Sequence, residues 1–200
     1  MSAIATPIAP ASPPVLELPM YRLSVAQYEA MVEKGILNEN DRVELIRGLL
    51  VAKMTPQPPH AISVDLVQDA LREILPAGWH VRIQAPLRLT DSVPEPDDCV
   101  TRGTRRDYRR KHPAPTDVAL VVEVSDSTLA SDRSTKKEMY AEAKIPTYWI
   151  VNLVDTQLEV FTDPAGSDYA VKRVLAPKDE APLILDGREV GRVPVQELLP

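Results

Sequence analysis

Apolar and polar positions fall into three consecutive segments that read as strand, helix and strand. Val118–Val124 (VALVVEV) is a β-branched apolar run broken by one charge, Glu123, which is the composition of a buried strand. Ser131–Ala143 then takes helical spacing, with Met139, Tyr140 and Ala143 able to share a face. Thr147–Val151 (TYWIV) is a second buried strand, so the three together predict a βαβ unit. Upstream, Ser24 is placed to cap a helix carrying Val25, Tyr28, Met31 and Val32 and ending at Gly35. Asp41–Met54 predicts a hairpin turning at Arg47-Gly48, packed through Val43, Leu45 and Leu49. His60 opens a helix to about Leu75, with a stripe of Ile62, Leu66, Val67, Ala70, Leu71 and Ile74. Trp79–Leu89 alternates as one or two strands, and Val93–Val100 delivers Pro96, Asp97 and Asp98 to the start of another. Downstream, Gln157–Thr162 and Tyr169–Val174 are strands, and Leu183–Arg192 is a hairpin about Asp186-Gly187.

Composition narrows the class. Two hundred residues suffice for one domain with a sizeable core, assigned to 20–200 with the late strands as a C-terminal extension. Residues 1–19, rich in Pro and Ala, are expected to form a disordered arm. No apolar run approaches the ~20 residues that span a membrane. A single cysteine, Cys99, excludes an internal disulfide and fits a reducing, cytoplasmic setting. The net charge of −6 gives no overall attraction for polyanions, so a nucleic-acid site has to be a local patch. Such a patch exists in Arg102–His112 (RGTRRDYRRKH), where Arg105, Arg106, Arg109 and Arg110 surround Tyr108. It reads either as a solvated loop or as a phosphate-contacting patch with one stacking aromatic.

Candidate chemistry gathers at the βαβ unit. A carboxylate at the end of an apolar strand is costly to bury alone, and Glu123 is in that position. Asp132 and Lys136, four apart on the helix, are neighbours on a face that Tyr140 continues. A buried Glu–Lys ion pair is one reading; a metal-assisted site is the other, and it needs a second carboxylate from elsewhere. Glu44, taken by itself, reads as solvent-facing or ion-paired, Asp97 and Asp98 beside prolines as turn formers, and His60 as structural or exposed.

Taken together, Glu44 in VELIRG, His60, Pro96-Asp97, VVEVSDST, Asp132 with Lys136 and Tyr140, and YWIVN resemble the Uma-type restriction-endonuclease family of the PD-(D/E)xK nuclease superfamily, over about Tyr21 to Pro164. The resemblance implies an α/β, restriction-endonuclease-like mixed β-sheet flanked by helices. It implies catalytic roles for Glu44, Asp97, Glu123 and Lys136. The superfamily lysine is expected at Ser125 and is replaced by Lys136 on the helix. Asp98 would substitute for Asp97 only if the register slipped by one, which turns the side chain to the other face.

Two carboxylates at adjacent strand ends, about 4–5 Å apart, repel by on the order of 3–4 kcal/mol at an effective dielectric near 20. That raises one pKa unless a cation lies between them. Hard oxygen ligands from Asp97, Glu123 and the Val124 carbonyl suit Mg²⁺ or Mn²⁺. The expected activity is a Mg-dependent endonuclease hydrolysing phosphodiester bonds in DNA, acting as a homodimer. Alternatives are a catalytically silent nucleic-acid-binding or assembly protein of the same fold, or a phosphodiesterase acting on RNA. The intact set of Asp97, Glu123 and Lys136 favours the enzyme.

Overall fold

In a computed structural model the described residues are 19–200; the N-terminal arm expected for residues 1–19 lies almost wholly outside them. A six-stranded mixed sheet forms the centre, in the order β3 (Trp79–Ile83), β4 (Asp98–Arg102), β5 (Val118–Ser125), β6 (Thr147–Asn152), β7 (Gln157–Ala165), β8 (Asp168–Leu175). Only β5 and β6 run parallel, because only they are joined by a helical crossover; every other neighbouring pair is antiparallel. Both strands of the predicted βαβ unit are fully buried, as continuous apolar strands covered on two faces must be.

The faces are covered differently. On one, helix α2 (Pro58–Ile74) sets Val64, Val67 and Leu71 against Val100, Leu120 and Trp149. The hairpin β9 (Glu180–Leu185) and β10 (Arg188–Pro194) closes the same face with Leu183 and Val193. Of the late strands, β7 and β8 extend the sheet, and β9 and β10 form a separate two-stranded layer. On the other face lie Met139, Tyr140 and Ala141 from the crossover, packed on Val121, Tyr148, Ile150 and Phe161. Each large side chain taken fully out of water here contributes about 1.5–3 kcal/mol.

The α2 stripe departs from the sequence reading. Ile62 is 51% exposed, and Val64 takes the core position, since two residues along a helix rotate a side chain by about 200°. Trp79–Leu89 yields only one strand, β3; beyond Ile83 the chain leaves the ladder at Gln84, whose φ is +42°.

Helix α1 (Val25–Glu33) is capped as the sequence predicts, by reciprocal hydrogen bonds between Ser24 and Gln27. Strands β1 (Val43–Ile46) and β2 (Leu49–Ala52) form the expected hairpin. Its two turn residues, Arg47 and Gly48, both have positive φ, the tight-turn geometry that matches strand twist. A Cβ at Gly48 would stand 2.8 Å from Arg22 Cβ and 3.0 Å from the Leu23 carbonyl, so the position admits only glycine without movement. The hairpin joins the body through Leu45, which bridges Val93. That contact carries Glu44 to the end of the central strands.

The crossover is one helical stretch in three parts: α3 (Leu129–Ser131), a π-helical turn (Asp132–Lys136) and α4 (Lys137–Glu142). It starts earlier than the Ser131 of the sequence reading, and the π turn was not foreseen. The Lys137 N–H reaches back five residues to the Asp132 carbonyl, which also accepts from the Tyr148 hydroxyl at 3.1 Å. A hydroxyl from the buried β6 strand thus compensates the widened turn. Such turns recur at functional sites.

Candidate active site

The site lies where β4 begins and β5 ends. In the β4–β5 ladder Asp98 stands opposite Val122. One step outward, Asp97 continues that register opposite Glu123, so both carboxyls share the face covered by the crossover helix. Asp98 faces the α2 side, fully buried, with neither oxygen hydrogen-bonded among the described residues. Burial first, then the Asp97 charge, raises its pKa to about 8. A register exchange between the two aspartates is therefore absent.

Asp97 is held from three directions. Its Oδ2 accepts the Val124 N–H at 2.9 Å and lies 3.3 Å from His60 Nε2; its Oδ1 accepts from Gln84 Nε2 at 3.3 Å. Burial works to raise the Asp97 pKa, but His60, the Val124 N–H and the Lys136 charge together hold it below the usual carboxylate range. The same contact with Asp97 raises His60, against the effect of burial. Val124 turns its N–H toward Asp97, past the start of β4. A residue in an extended strand points its carbonyl to the same side, so the Val124 oxygen opens there too.

Glu123 is buried, and Tyr140 donates to its Oε1 at 2.7 Å. Lys136 Nζ lies 3.0 Å from Glu123 Oε2, 3.9 Å from Asp132 Oδ1 and 4.0 Å from Glu44 Oε1. Burial would favour the neutral amine, but Glu123, Glu44 and Asp132 overcome it and raise the Lys136 pKa. Burial also raises Glu123 well above its ordinary value; Lys136 opposes this, while Asp132, Asp97 and Glu44 add to it. Ser125 and Thr128 hydroxyls donate to Asp132 Oδ2 at 2.7 and 2.6 Å, leaving Oδ1 without a hydrogen bond. Ser125 thus orients Asp132 beside Lys136. Glu44 Oε2 accepts the Glu95 N–H at 2.9 Å, so it is buried rather than solvent-facing.

Four carboxyl groups thus share one ammonium and one imidazole, and the cluster is short of positive charge. The hard oxygens of Asp97, Glu123 and Val124 match a small divalent cation in donor type. Among the described residues no three His, Cys, Asp or Glu side chains form a ready-made metal cage. Mg²⁺ ordinarily keeps several waters and takes only one or two carboxylates, so the donor set fits it.

The predicted set Glu44, Asp97, Glu123 and Lys136 is therefore together. The basic stretch divides. Arg109 and Arg110 line a recess that reaches Glu95, whereas Arg105 and Arg106 do not. Tyr108, expected as a free stacking ring, hydrogen-bonds the Arg102 carbonyl at 2.9 Å and lies against His80 and Arg82. Sequence reasoning gave no part in the site to His60 as a lone histidine or to Gln84. His60 stood only in the pattern that carries the family resemblance, and nothing local marks Gln84; the meeting of α2 and the β3 exit at Asp97 brings both into the site.

The family model Uma2, described as "Putative restriction endonuclease", matches residues 25–193. The fold matches the crystal structure of a protein from Anabaena variabilis described as "a putative nuclease belonging to DUF820". That match has a TM-score of 0.65 and 12% sequence identity, over 88% of this chain and 97% of the other, and it shows the shared fold. No protein of curated function matches. No helix among the described residues is long and apolar enough to cross a membrane.

Proposed function

The chain belongs to the Uma2 family, and on that premise we propose that it is a metal-dependent endonuclease hydrolysing phosphodiester bonds in DNA. The observation that carries this reading is the convergence of Asp97 and Glu123 on one face with the Lys136 ammonium 3.0 Å from Glu123. Mg²⁺ or Mn²⁺ would be held by Asp97, Glu123 and the Val124 carbonyl, and when bound there it polarises the phosphate and lowers the pKa of water.

The protein's own groups supply the remainder. Lys136 orients the attacking water and stabilises charge developing on the phosphorane. Asp132 and Glu44 hold the lysine in place and charged. Tyr140 fixes Glu123 through Oε1, leaving Oε2 toward the lysine. His60 and Gln84 fix the Asp97 rotamer. Water oxygen joins phosphorus, one P–O ester bond breaks, and the leaving oxygen takes up a proton. A homodimer would let two such sites address two strands.

The test is nicking of supercoiled plasmid with Mg²⁺, Mn²⁺ or EDTA, with Asp97→Ala as the control for contaminants. Metal-dependent nicking that vanishes in Asp97→Ala is expected. Absence of nicking by folded protein with either metal, or its survival in the variant, overturns the proposal.

A further inference from the structure

Beside the catalytic cluster lies a recess of about 800 Å³, walled by α1 and the hairpin on one side and by Tyr108–His112 on the other. We propose that it receives an unpaired nucleotide of the substrate strand, so that the enzyme selects DNA with single-stranded character next to the cut; this rests on the nuclease reading above.

Position is the first argument. Glu95 lines the recess, two residues before Asp97, and its N–H holds Glu44. Tyr28 lines it too, and the Glu95 and Glu44 charges both act on the Tyr28 phenol. The recess therefore borders the place where the scissile phosphate would lie.

Charge is the second. Two acids of the lining are neutralised locally: Glu29 by Arg88 at 2.8 Å, and Glu95 by Lys53. Four lining cations, Arg42, Arg109, Arg110 and Lys111, have no carboxylate partner among the described residues, against two further acids, Glu33 and Glu39. The surplus is positive in a chain whose net charge is −6. That is the local signature of a polyanion site.

Shape and surface complete the case. Tyr28, Val32, Leu37, Pro86 and Val93 give the recess an apolar wall, which a phosphate alone has no use for. A nucleobase does: its faces desolvate against such surface while its phosphates meet the cations. Recesses of about 300–1,000 Å³ suit ligands of nucleotide size. A double helix, whose major groove alone is about 12 Å wide, does not enter one.

The experiment is fluorescence anisotropy in EDTA, where no cleavage is required, with a labelled single-stranded oligonucleotide and the blunt duplex of the same sequence. The single strand is expected to bind about tenfold more tightly, the equivalent of one stacked base. Val32→Trp, at a side chain 48% exposed, should fill the recess and remove that preference while leaving the melting temperature unchanged. Arg110→Glu, at an exposed position, should do the same through charge. Equal affinity for both forms, or a preference unaltered in both variants, overturns the proposal. Plasmid nicking separates the two readings. A preference for single strands without nicking removes the nuclease and keeps the recess; nicking without the preference does the reverse.

Discussion

Asp98→Asn should make the protein more stable at neutral pH and leave cleavage intact. Asp98 is fully buried on the α2 side, lacks a hydrogen-bond partner among the described residues, and has its pKa raised from 3.8 to about 8. Arg72 lowers it slightly; Asp97 and Asp65 add to the rise. Between those two values the folded state binds a proton that the unfolded chain has released. Stability is therefore complete below about pH 4, falls as pH rises, and levels off above about pH 8. Each pH unit inside that window costs about 1.4 kcal/mol, so from pH 5 to pH 7 the wild type should lose about 3 kcal/mol relative to Asp98→Asn. Urea denaturation of both proteins at the two pH values measures the difference directly and cancels every other titrating group. For a chain of this size the same gap is a melting-temperature difference of roughly 6–12 °C. Parallel pH profiles for the two proteins would refute the reasoning, because they would mean that Asp98 is ionised and paired. Loss of metal-dependent nicking in Asp98→Asn, with Asp97 intact, would refute the assignment of the two aspartates.

Lys136→Ala should abolish nicking while oligonucleotide affinity in EDTA changes less than about threefold, since the ammonium faces carboxyls rather than the recess; nicking at the wild-type rate would end its role. Mg²⁺ titration by calorimetry in buffers of different ionisation enthalpy should show proton release, because Glu123 has its pKa raised well above the ordinary value, and Glu123→Gln should remove that release. His60→Ala should destabilise more at pH 5 than at pH 8: the raised His60 contributes below its folded pKa and loses it as pH rises, while Asp97 contributes down to about pH 4. A urea midpoint shift equal at both pH values would count against the His60–Asp97 pair. Arg133→Ala should cost about 2 kcal/mol at pH 7 in urea denaturation, because Glu159 is fully buried and keeps only Lys172 at 2.7 Å and the amides of Asn152 and Gln157.

The amino-acid sequence by itself determined the elements and the chemistry they carry. Runs such as VALVVEV and TYWIV cannot leave water without becoming strands covered on both faces, and the helical span between them then has to cross over. Ser24, Arg47-Gly48 and Asp186-Gly187 marked their cap and turns because those signals act within a few residues. Glu123 was legible for a related reason: a charge inside an apolar strand is expensive enough to be conspicuous. Asp97 read by itself as a turn former and, like the role of Lys136, entered only through the family resemblance.

Tertiary structure decided what depends on contacts distant in sequence. Glu44 read by itself as solvent-facing or ion-paired; the Leu45–Val93 bridge buries it, the Glu95 N–H takes one oxygen and Lys136 lies 4.0 Å from the other. His60 and Gln84 became partners of Asp97 only when α2 and the end of β3 met there. The π turn needed the Tyr148 hydroxyl from the next strand, and Ser125 gained its role from Asp132, seven residues on. Even the basic stretch was divided by packing, with Arg109 and Arg110 turned to the recess and Arg105 and Arg106 away from it. Periodicity reports which face of an element is apolar; it carries no information on which polar groups from other elements will be brought against it, and those are the groups that set the charge of this site.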